Sequence, residues 1–378
     1  MRFFATTLLC TFALLGFGRD KRDPPLEEAA SRRFNATLTV GKPWRRPSLP
    51  ASLSGIAWAG GTTYYAVSDD SFTDEVGLYP LTLELASNGL SVVSCKIPPP
   101  ARRIRLAGAY DLEDVAFDAA NGTVWAVDET RRTVKEHRLA DGAVLRTLQL
   151  PEFLRHDRSN LGMESLTLSE DGTTLWTCTE EALTCDGPRS SPKAGTTVRL
   201  LKFTRPTTTD DFTLADSRPY TTDAWNQAHD FDGKGRRGVS GLCALPDGSL
   251  LVLERELSFG GAQALIAATT ARLSFAIYRV DASGGEKERL ASGGGNVFAF
   301  GNYEGICLGP HLPDGKRSVL LVSDSGDGLS TPFILPMVLS WQVRGSWCNN
   351  AHEKTSCRFA DRGRVKRLRR PASGESHL

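Results

Sequence analysis

Short runs of alternating apolar and polar residues recur along the chain, and many come in pairs joined by a glycine-containing turn. The clearest pair is GVSGLCALPDGSLLVLERE at 238–256, where two such runs flank Asp247-Gly248. Alternation with a period of two is typical of half-buried strands, and Asp-Gly supplies the positive φ that tight hairpin turns need. The pattern therefore predicts a β-hairpin.

Five segments share this hairpin pattern. They are LSGIAWAGGTTYYAVSDD from residue 53, DLEDVAFDAANGTVWAVDET from 111, GMESLTLSEDGTTLWTCTEE from 162, GVSGLCALPDGSLLVLERE from 238 and NYEGICLGPHLPDGKRSVLLVSDS from 302. Further strand candidates lie in pairs between the segments, and helical periodicity is nearly absent. Four antiparallel strands in a repeat of about 40 to 60 residues are typical of a propeller blade. We therefore predict an all-β fold, a β-propeller of four-stranded antiparallel blades.

The spacing of the repeats favours five blades, and six remain possible. The predicted outer strand pairs are the hairpin at 133–151, with Asp141-Gly142 at its turn, and the pairs 76–85 with 90–97, 197–205 with 211–220, and 271–283 with 296–300. The segments 333–344 and 34–40 are the remaining strand candidates. We expect the N-terminal strand to complete the last blade and close the ring, which gives a single propeller domain over residues 19–360.

The two ends of the chain differ in composition from this domain. Residues 1–18 contain an apolar run after Arg2 and have the character of a secretion signal, with an uncleaved anchor as the alternative. We expect a secreted, extracellular or periplasmic monomer that does not associate with a membrane once mature. The basic run RGRVKRLRR lies in a tail at 361–378 that we expect to be disordered.

Charge and cysteine content narrow the choice of partners. Lys and Arg number 45 and Asp and Glu number 44, a balance that gives no field to attract nucleic acid. Export permits disulfides, and Cys178 with Cys185, and Cys348 with Cys357, are close enough in sequence to bridge loops. Cys243 and Cys307 occupy equivalent places in two repeats, which indicates small core residues.

Each repeat places polar residues at the same end of its hairpin. In an antiparallel hairpin, the residue that opens the first strand lies beside the residue that closes the second. The opening residues are Ser54, Glu113, Glu164, Ser240 and Glu304, and the closing residues are Asp69, Asp128, Glu180, Glu254 and Asp324. Propeller symmetry would gather all of them around one end of the axis.

A ring of eight carboxylates among these ten residues needs a counter-charge, because buried like charges repel one another. Ca²⁺ is the expected cofactor, since it takes six to eight oxygen ligands and the repeats offer no Cys or His cluster. Arg255 could supply part of the counter-charge. The alternative is that each acid caps a loop or pairs with a basic residue of a neighbouring blade.

The sequence resembles the phytase-like family of β-propellers, known by the description "esterase-like activity of phytase". The resemblance is carried by DLEDVAF at 111–117, NLGMESLTLSEDG at 160–172, GVSGLCALPDGSLLVLERE, and NYEGICLGP with LLVSDS, over roughly residues 50 to 345. It implies hydrolysis of phosphate monoesters or other esters with bound Ca²⁺. That role would fall on Glu113, Asp128, Glu164, Glu180, Glu254, Glu304 and Asp324, whereas Ser54 and Ser240 depart from the acidic pattern.

We assign expected roles on this basis. Glu164 and Glu304 are the candidate catalytic residues, as general acid or base. The candidate metal ligands are Asp69, Glu113, Asp128, Glu180, Glu254 and Asp324. Arg255 and His229 are the candidate substrate-binding residues, for a small-molecule ester or phosphate. Two alternatives stay open: a non-catalytic propeller that binds a partner and uses Ca²⁺ for stability, and a lactonase-like hydrolase with one central metal.

Overall fold

Five four-stranded antiparallel sheets form the fold, as predicted. The computed structural model describes residues 35–45, 52–69, 76–98, 103–225, 235–258, 271–281, 287–324 and 332–342. The predicted signal at 1–18, the tail at 361–378 and His229 lie outside these residues. No helix in the described ranges is long and apolar enough to cross a membrane.

The first four blades each use four strands in chain order. Blade 1 contains β3 (Leu53–Gly60), β4 (Thr63–Ser68), β5 (Gly77–Leu85) and β6 (Val92–Lys96). Blade 2 contains β7 (Leu112–Asp118), β8 (Thr123–Asp128), β9 (Thr133–Arg138) and β10 (Val144–Thr147). Blade 3 contains β11 (Met163–Leu168), β12 (Thr174–Thr179), β13 (Thr197–Thr204) and β14 (Thr213–Thr221). Blade 4 contains β15 (Arg236–Ala244), β16 (Leu250–Ser258), β17 (Arg272–Val280) and β18 (Glu288–Asn296).

Blade 5 joins the two ends of the described chain. It contains β19 (Asn302–His311), β20 (Arg317–Asp324), β21 (Phe333–Gln342) and, as its outer strand, β1 (Asn35–Val40). The short strand β2 (Trp44–Arg45) pairs with the start of β21. The pairing of β1 with β21 confirms the predicted closure by the N-terminal strand.

One predicted outer strand is wrong. The fourth strand of blade 4 is Glu288–Asn296, and the predicted segment 296–300 instead leaves the sheet after β18. A Cβ atom on Gly295 would lie 3.1 Å from Phe300 Cβ, so the bare glycine backbone leaves room for the Phe300 side chain. The Phe300 ring packs against Phe275 and Tyr303, where it contributes to the core.

The hydrophobic core is divided among the blade interfaces. Five large clusters of buried side chains each lie between two neighbouring blades, and the cluster between blades 4 and 5 includes Leu253, Leu321 and Met337. Fully burying a side chain of this size contributes about 1.5–3 kcal/mol. Because each blade shares its core with two neighbours, the stability of one blade depends on the others.

The expected disulfide between Cys178 and Cys185 is not formed. Cys178 is buried in the cluster between blades 3 and 4, where its thiol lies 3.1 Å from the Ser165 hydroxyl, whereas Cys185 is exposed in the following loop. All five cysteines within the described residues are free thiols. Cys348 and Cys357 lie outside those residues. Cys243 and Cys307 are buried, as predicted for small core residues.

The innermost strands approach closely around the axis because small residues follow the start of each one. The first strand of every blade contacts the first strands of both neighbours. A Cβ atom on Gly55 would lie 2.5 Å from the Asp114 Cα, and one on Gly305 would lie 2.8 Å from the Ser54 carbonyl oxygen. We call Gly55, Asp114, Ser165, Gly241 and Gly305 the axial layer.

Asp114 is the one charged residue of the axial layer. Its carboxylate accepts hydrogen bonds from the Val115 and Leu166 backbone amides, each at 2.8 Å, and so joins blade 2 to blade 3. Burial raises its pKa well above the usual range, although both hydrogen bonds oppose the rise. Through these two hydrogen bonds, the Asp114 carboxyl group links blade 2 to blade 3 at the axis.

The axial layer generates a stability prediction. We expect Gly305→Ala to lower the free energy of unfolding by about 1–3 kcal/mol, because the added methyl group collides with backbone that cannot move without separating blades. Urea denaturation measures the change. Gly293→Ala on outer strand β18 is the matched control, with its nearest contact a Phe275 ring atom at 3.0 Å, and should lose less. Equal stability of the Gly305 variant and the unmodified protein would contradict this account.

Candidate active site at the acid mouth

Every blade carries a β-bulge at the same place in its first hairpin. In blade 1, for example, Leu53 pairs with Ser68 and the next pair is Gly55 with Val67, so Ser54 is left unpaired. The unpaired residues of the five blades are Ser54, Glu113, Glu164, Ser240 and Glu304. They are the five residues predicted to open the hairpins. A bulge re-aims a side chain, and here it does so at one end of the axis.

The second strands supply the other half of this site, with a register that corrects the sequence prediction. In each blade, the residue just before the bulge pairs with a residue of the second strand, and the next residue of that strand faces the site. From blade 1 to blade 5 these next residues are Asp69, Glu129, Glu180, Arg255 and Asp324. Asp69, Glu180 and Asp324 were therefore placed correctly. Asp128 and Glu254 lie one position earlier, and neighbouring strand residues point to opposite faces. We call the bulge residues, these five residues and Asp111 the acid mouth.

Asp128 supports the loops around the acid mouth and does not face into it. Its carboxylate accepts hydrogen bonds from the backbone amides of Tyr110 at 2.7 Å and Arg131 at 2.9 Å. Burial raises its pKa, and these amides oppose the rise. The side chain thus fixes the turn after β8 and the loop that carries Asp111.

Glu254 is buried in a separate polar cluster between blades 3 and 4. Its carboxylate pairs with Arg237 at 2.6 Å and Lys287 at 2.8 Å, and it accepts a hydrogen bond from the Tyr220 hydroxyl at 2.7 Å. Both basic residues belong to the same blade as Glu254, so this carboxylate already has its counter-charge. It follows the alternative in which an acid pairs with basic residues, and we omit it from the ligand set.

Arg255 lies inside the acid mouth and neutralises one side of it. Its guanidinium forms ion pairs with Glu180, at 2.5 Å, and with Glu304, which come from blades 3 and 5. Burial would raise the pKa of Glu180, but Arg255 and Arg236 hold it below its usual value. Burial would lower the pKa of Arg255, but the surrounding carboxylates raise it well above its usual value. This side of the mouth is a charged cluster with its own cation.

Glu164 lies next to this cluster and carries a proton more readily than a free carboxylate does. Burial, followed by the negative charge of Glu180, raises its pKa well above the usual range, and Arg255 only partly opposes them. The pKa of Glu180 is shifted in the opposite direction, since Arg255 and Arg236 hold it below its usual value. The two neighbouring carboxyls therefore differ, with the proton favoured on Glu164 and the charge on Glu180.

The other side of the mouth consists of carboxylates from blade 2. Asp111, Glu113 and Glu129 each present an oxygen atom within 4.8 Å of the other two. No Lys or Arg of the described residues lies within 4.0 Å of the Glu113 carboxylate. Burial, Glu164 and Asp69 raise the pKa of Glu113 well above the usual range, and burial is the main cause that raises the pKa of Glu129 to about 7. This side lacks a counter-charge of its own.

Blade 1 adds an acid, Asp69, that has no ion pair within the described residues, and blade 5 adds Glu304, which pairs with Arg255. Burial raises the pKa of Asp69 to about 7, and the nearby Asp324 and Asp111 add to the rise. Asp69 Oδ1 is buried without a hydrogen-bond donor within the described residues. Glu304 also has its pKa raised by burial, although Arg255 opposes this. The acid mouth therefore holds more negative charge than its one guanidinium can balance.

Sequence reasoning missed Glu129 and Asp111. The signal for Glu129 was present, because two adjacent acids, Asp128 and Glu129, stand where the hairpins of blades 1, 3 and 5 place a mouth acid. Only the bulge, which shifts the pairing by one residue, decides which of the two faces the axis. Asp111 precedes β7 and is placed by the loop, where Thr130 donates a hydrogen bond to it at 2.6 Å.

Comparisons with known proteins found one family model and several solved structures that are similar to this chain. The family model described as "Phytase-like: Esterase-like activity of phytase" matches residues 51–326. No curated protein matches the chain at a significant level. Similar solved structures include a nidogen/laminin complex, with 10% identity, a TM-score of 0.35 and coverage of 79% of this chain and 96% of that one. A tail fibre of Staphylococcus aureus phage P68 has 14% identity, a TM-score of 0.37 and coverage of 81% and 53%. Similarities at these TM-scores carry no argument about function.

The raised pKa values predict a pH dependence of stability in the absence of divalent cations. Asp69 and Glu129 bind protons in the folded state up to about pH 7, whereas their ordinary values are 3.8 and 4.5. Between those limits the folded state holds more protons than the unfolded state, so the free energy of unfolding should fall as pH rises from about 4.5 to 7.

Melting temperatures measured in EDTA across this range test the effect. Glu129→Gln should make the profile flatter, because the amide does not titrate. Asp314→Asn, at an exposed turn far from the mouth, is the control and should leave the profile unchanged. Stability that rises with pH over the same range, in a way that depends on Glu129, would contradict this assignment.

Proposed function

We propose that this chain, which belongs to the phytase-like family, is an exported Ca²⁺-dependent hydrolase of phosphate monoesters or other esters, with the acid mouth as its active site. The observation that carries the proposal is the group formed by Asp111, Glu113 and Glu129, whose oxygens lie within 4.8 Å of one another. Glu113 and Glu129 are buried and Asp111 is half-buried, and none of the three forms an ion pair with a Lys or Arg of the described residues. Such a site needs positive charge from outside the chain.

The chemistry of the donors fits calcium. All three groups are carboxylates, and hard oxygen donors in an irregular arrangement are what Ca²⁺ prefers. Zinc would call for Cys or His ligands, and the mouth contains neither among the described residues. Asp69, with its buried Oδ1 lacking a donor, is the next carboxylate available to the ion. Bound at this position, Ca²⁺ would supply positive charge to stabilise an anion that develops on the substrate.

Glu164 is the residue we propose to transfer a proton. It lies between the acids of blade 2 and the cluster around Arg255. Burial and the charges of Glu180, Glu129 and Glu304 raise its pKa and so favour the protonated form, and the Arg255 charge opposes them in part. A protonated carboxyl can donate to the oxygen of a leaving alcohol as the ester bond breaks. Glu180, whose pKa Arg255 and Arg236 hold below its usual value, would keep a negative charge beside Glu164.

Glu304 has a different role from Glu164 in this proposal. Its carboxylate pairs with Arg255 Nη1 and accepts a hydrogen bond from Asn302 at 2.8 Å. Glu304 and Glu180 together hold the guanidinium from two sides, so they fix the position of Arg255. Arg255, held in this way, would offer a fixed positive charge to the substrate, which is the role we propose for it. We therefore treat Glu304 as a positioning residue.

The count of cations favours a substrate with one phosphate or ester group. Within the described residues, Arg255 is the cation that lies inside the mouth, and Arg236 approaches Glu180 at 3.8 Å. A polyphosphorylated substrate would need several basic side chains to balance its charge. The proposal therefore does not include phytate as the preferred substrate.

Calcium titration tests the cofactor. Adding Ca²⁺ to EDTA-treated protein should raise the melting temperature, because an ion that binds only the folded state stabilises it by RT ln(1 + [L]/Kd). Glu113→Gln should abolish most of the shift. Asp314→Asn, which changes an exposed acid at the opposite end, should keep it. No calcium-dependent shift in the unmodified protein would overturn the cofactor assignment.

Substitution of the proposed proton donor tests catalysis. With a generic aryl phosphate and a generic aryl ester as substrates, Glu164→Gln should lower kcat by about 10²–10⁴-fold, because an amide cannot transfer the proton. Glu84→Gln, on outer strand β5, is the matched control and should retain full activity. Calcium-dependent stabilisation without turnover of either substrate would favour the binding module instead, and turnover restricted to lactones would favour the lactonase-like alternative.

A further inference from the structure

A second cavity lies at the other end of the propeller axis, on the side of the hairpin turns. It has a volume of about 410 Å³, within the usual range for small-molecule sites. Residues from all five first hairpins line it, among them Trp58, Val115, Leu166, Cys243 and Ile306. We call it the turn-side cavity. None of the acid-mouth residues lines it.

The axial layer separates the turn-side cavity from the acid mouth. In four blades the cavity begins two residues after the bulge, at positions such as Ile56 and Leu166, and in blade 4 it begins at Cys243, three residues after; the axial layer lies in between. In that layer a Cβ atom on Gly55 or Gly241 would already lie within 2.7 Å of backbone from the next blade. The strands are therefore closed between the two sites, and a ligand in the cavity would not reach the mouth carboxylates.

One buried cation marks the chemistry of this cavity. The Arg317 side chain is 3% exposed, although it lies at the edge of an open cavity, and its guanidinium lies 5.0 Å from the centre of the Trp58 ring. Arg317 contacts Glu170 of blade 3 at 2.6 Å and His311 at 2.8 Å. Arg317 and Glu170 are the two charged residues among those that line the cavity.

Glu170 is a replaceable partner for Arg317. Its side chain is 51% exposed and reaches the guanidinium from a turn of another blade. An exposed carboxylate gains little from an ion pair, typically 0–1 kcal/mol, because water solvates it well when it leaves. The other two guanidinium nitrogens already contact the Gly309 carbonyl oxygen and His311, so a ligand carboxylate that took the place of Glu170 would accept its charge-assisted hydrogen bond from Nη2.

The rest of the cavity suits an uncharged hydrocarbon body. Its walls are mostly Ile, Val, Leu and Ala side chains with the Trp58 and Phe117 rings. Burial raises the pKa of the Cys243 thiol to about 12, so this lining group is neutral. Apolar walls with one buried cation at the edge favour a molecule with one anionic end.

We propose that the turn-side cavity binds a small amphiphilic monocarboxylate, with its carboxylate on Arg317 in place of Glu170 and its apolar part between the five first hairpins. The site is independent of the proposed hydrolase function, because the axial layer separates the two.

Binding of sodium octanoate, followed by calorimetry and by Trp fluorescence, tests the proposal on the full chain. We expect saturable binding of octanoate at one site, and at least about tenfold weaker binding of octanol and octylamine, since one lacks the charge and the other repels Arg317. Equal affinity for all three would overturn the carboxylate assignment. Failure of octanoate to bind at millimolar concentration would overturn the site.

Two variants locate the ligand. Glu170→Gln removes the competing carboxylate from an exposed position, so it should fold normally and bind octanoate several-fold more tightly. Arg317→Met should lose the preference for octanoate over octanol; if it does not fold, Ala57→Leu, which fills the cavity, provides the second test by lowering affinity for all ligands. Unchanged octanoate affinity in Glu170→Gln would contradict the replacement of Glu170 by the ligand carboxylate.

Calcium-dependent stabilisation and ester hydrolysis, measured on Glu170→Gln, should match the unmodified protein. This control separates the present proposal from that for the acid mouth.

Discussion

Close contact between the five innermost strands is the constraint on which the other features depend. Glycine at three of the five positions in the axial layer lets backbone meet backbone where a methyl group would collide. Packing this close leaves no room for a continuous water-filled channel at that level, and it fixes where each blade stands. The blade interfaces then bury the apolar side chains that stabilise the fold.

The same closeness creates the electrostatic character of the acid mouth. Because the bulges sit immediately before the axial layer, carboxylates of different blades are brought together where water is scarce, and burial is the first cause of the raised pKa in Glu113, Glu164 and Glu304. Arg255 neutralises negative charge on one side of the ring, and the carboxylates of blade 2 have no such basic partner within the described residues. The proposed calcium site follows from this asymmetry, since five equivalent positions are occupied by unequal side chains.

Much of this arrangement could be predicted from the sequence, for physical reasons that also set the limit. Asp-Gly and Asn-Gly turns, such as Asn121-Gly122, fix hairpins locally, so the repeated hairpin followed from the pattern, whereas the spacing favoured five blades and left six possible. The choice between Asp128 and Glu129 as the mouth residue could not be predicted, because it depends on a β-bulge that local sequence preferences do not indicate. The roles of Glu254 and Asp111 depend on partners that are distant in sequence. The burial of Cys178 depends on which side of its strand faces the core.

The completion of blade 5 by β1 has a consequence for how the protein is made. That strand is synthesised before the other described strands, and its partner β21 is the last of the described strands to be made. During synthesis β1 must wait with its backbone groups unpaired, and unpaired edges invite association with other chains. Contacts between such distant segments also slow folding. A chaperone that shields the nascent N-terminal segment would therefore protect the whole ring from misassembly.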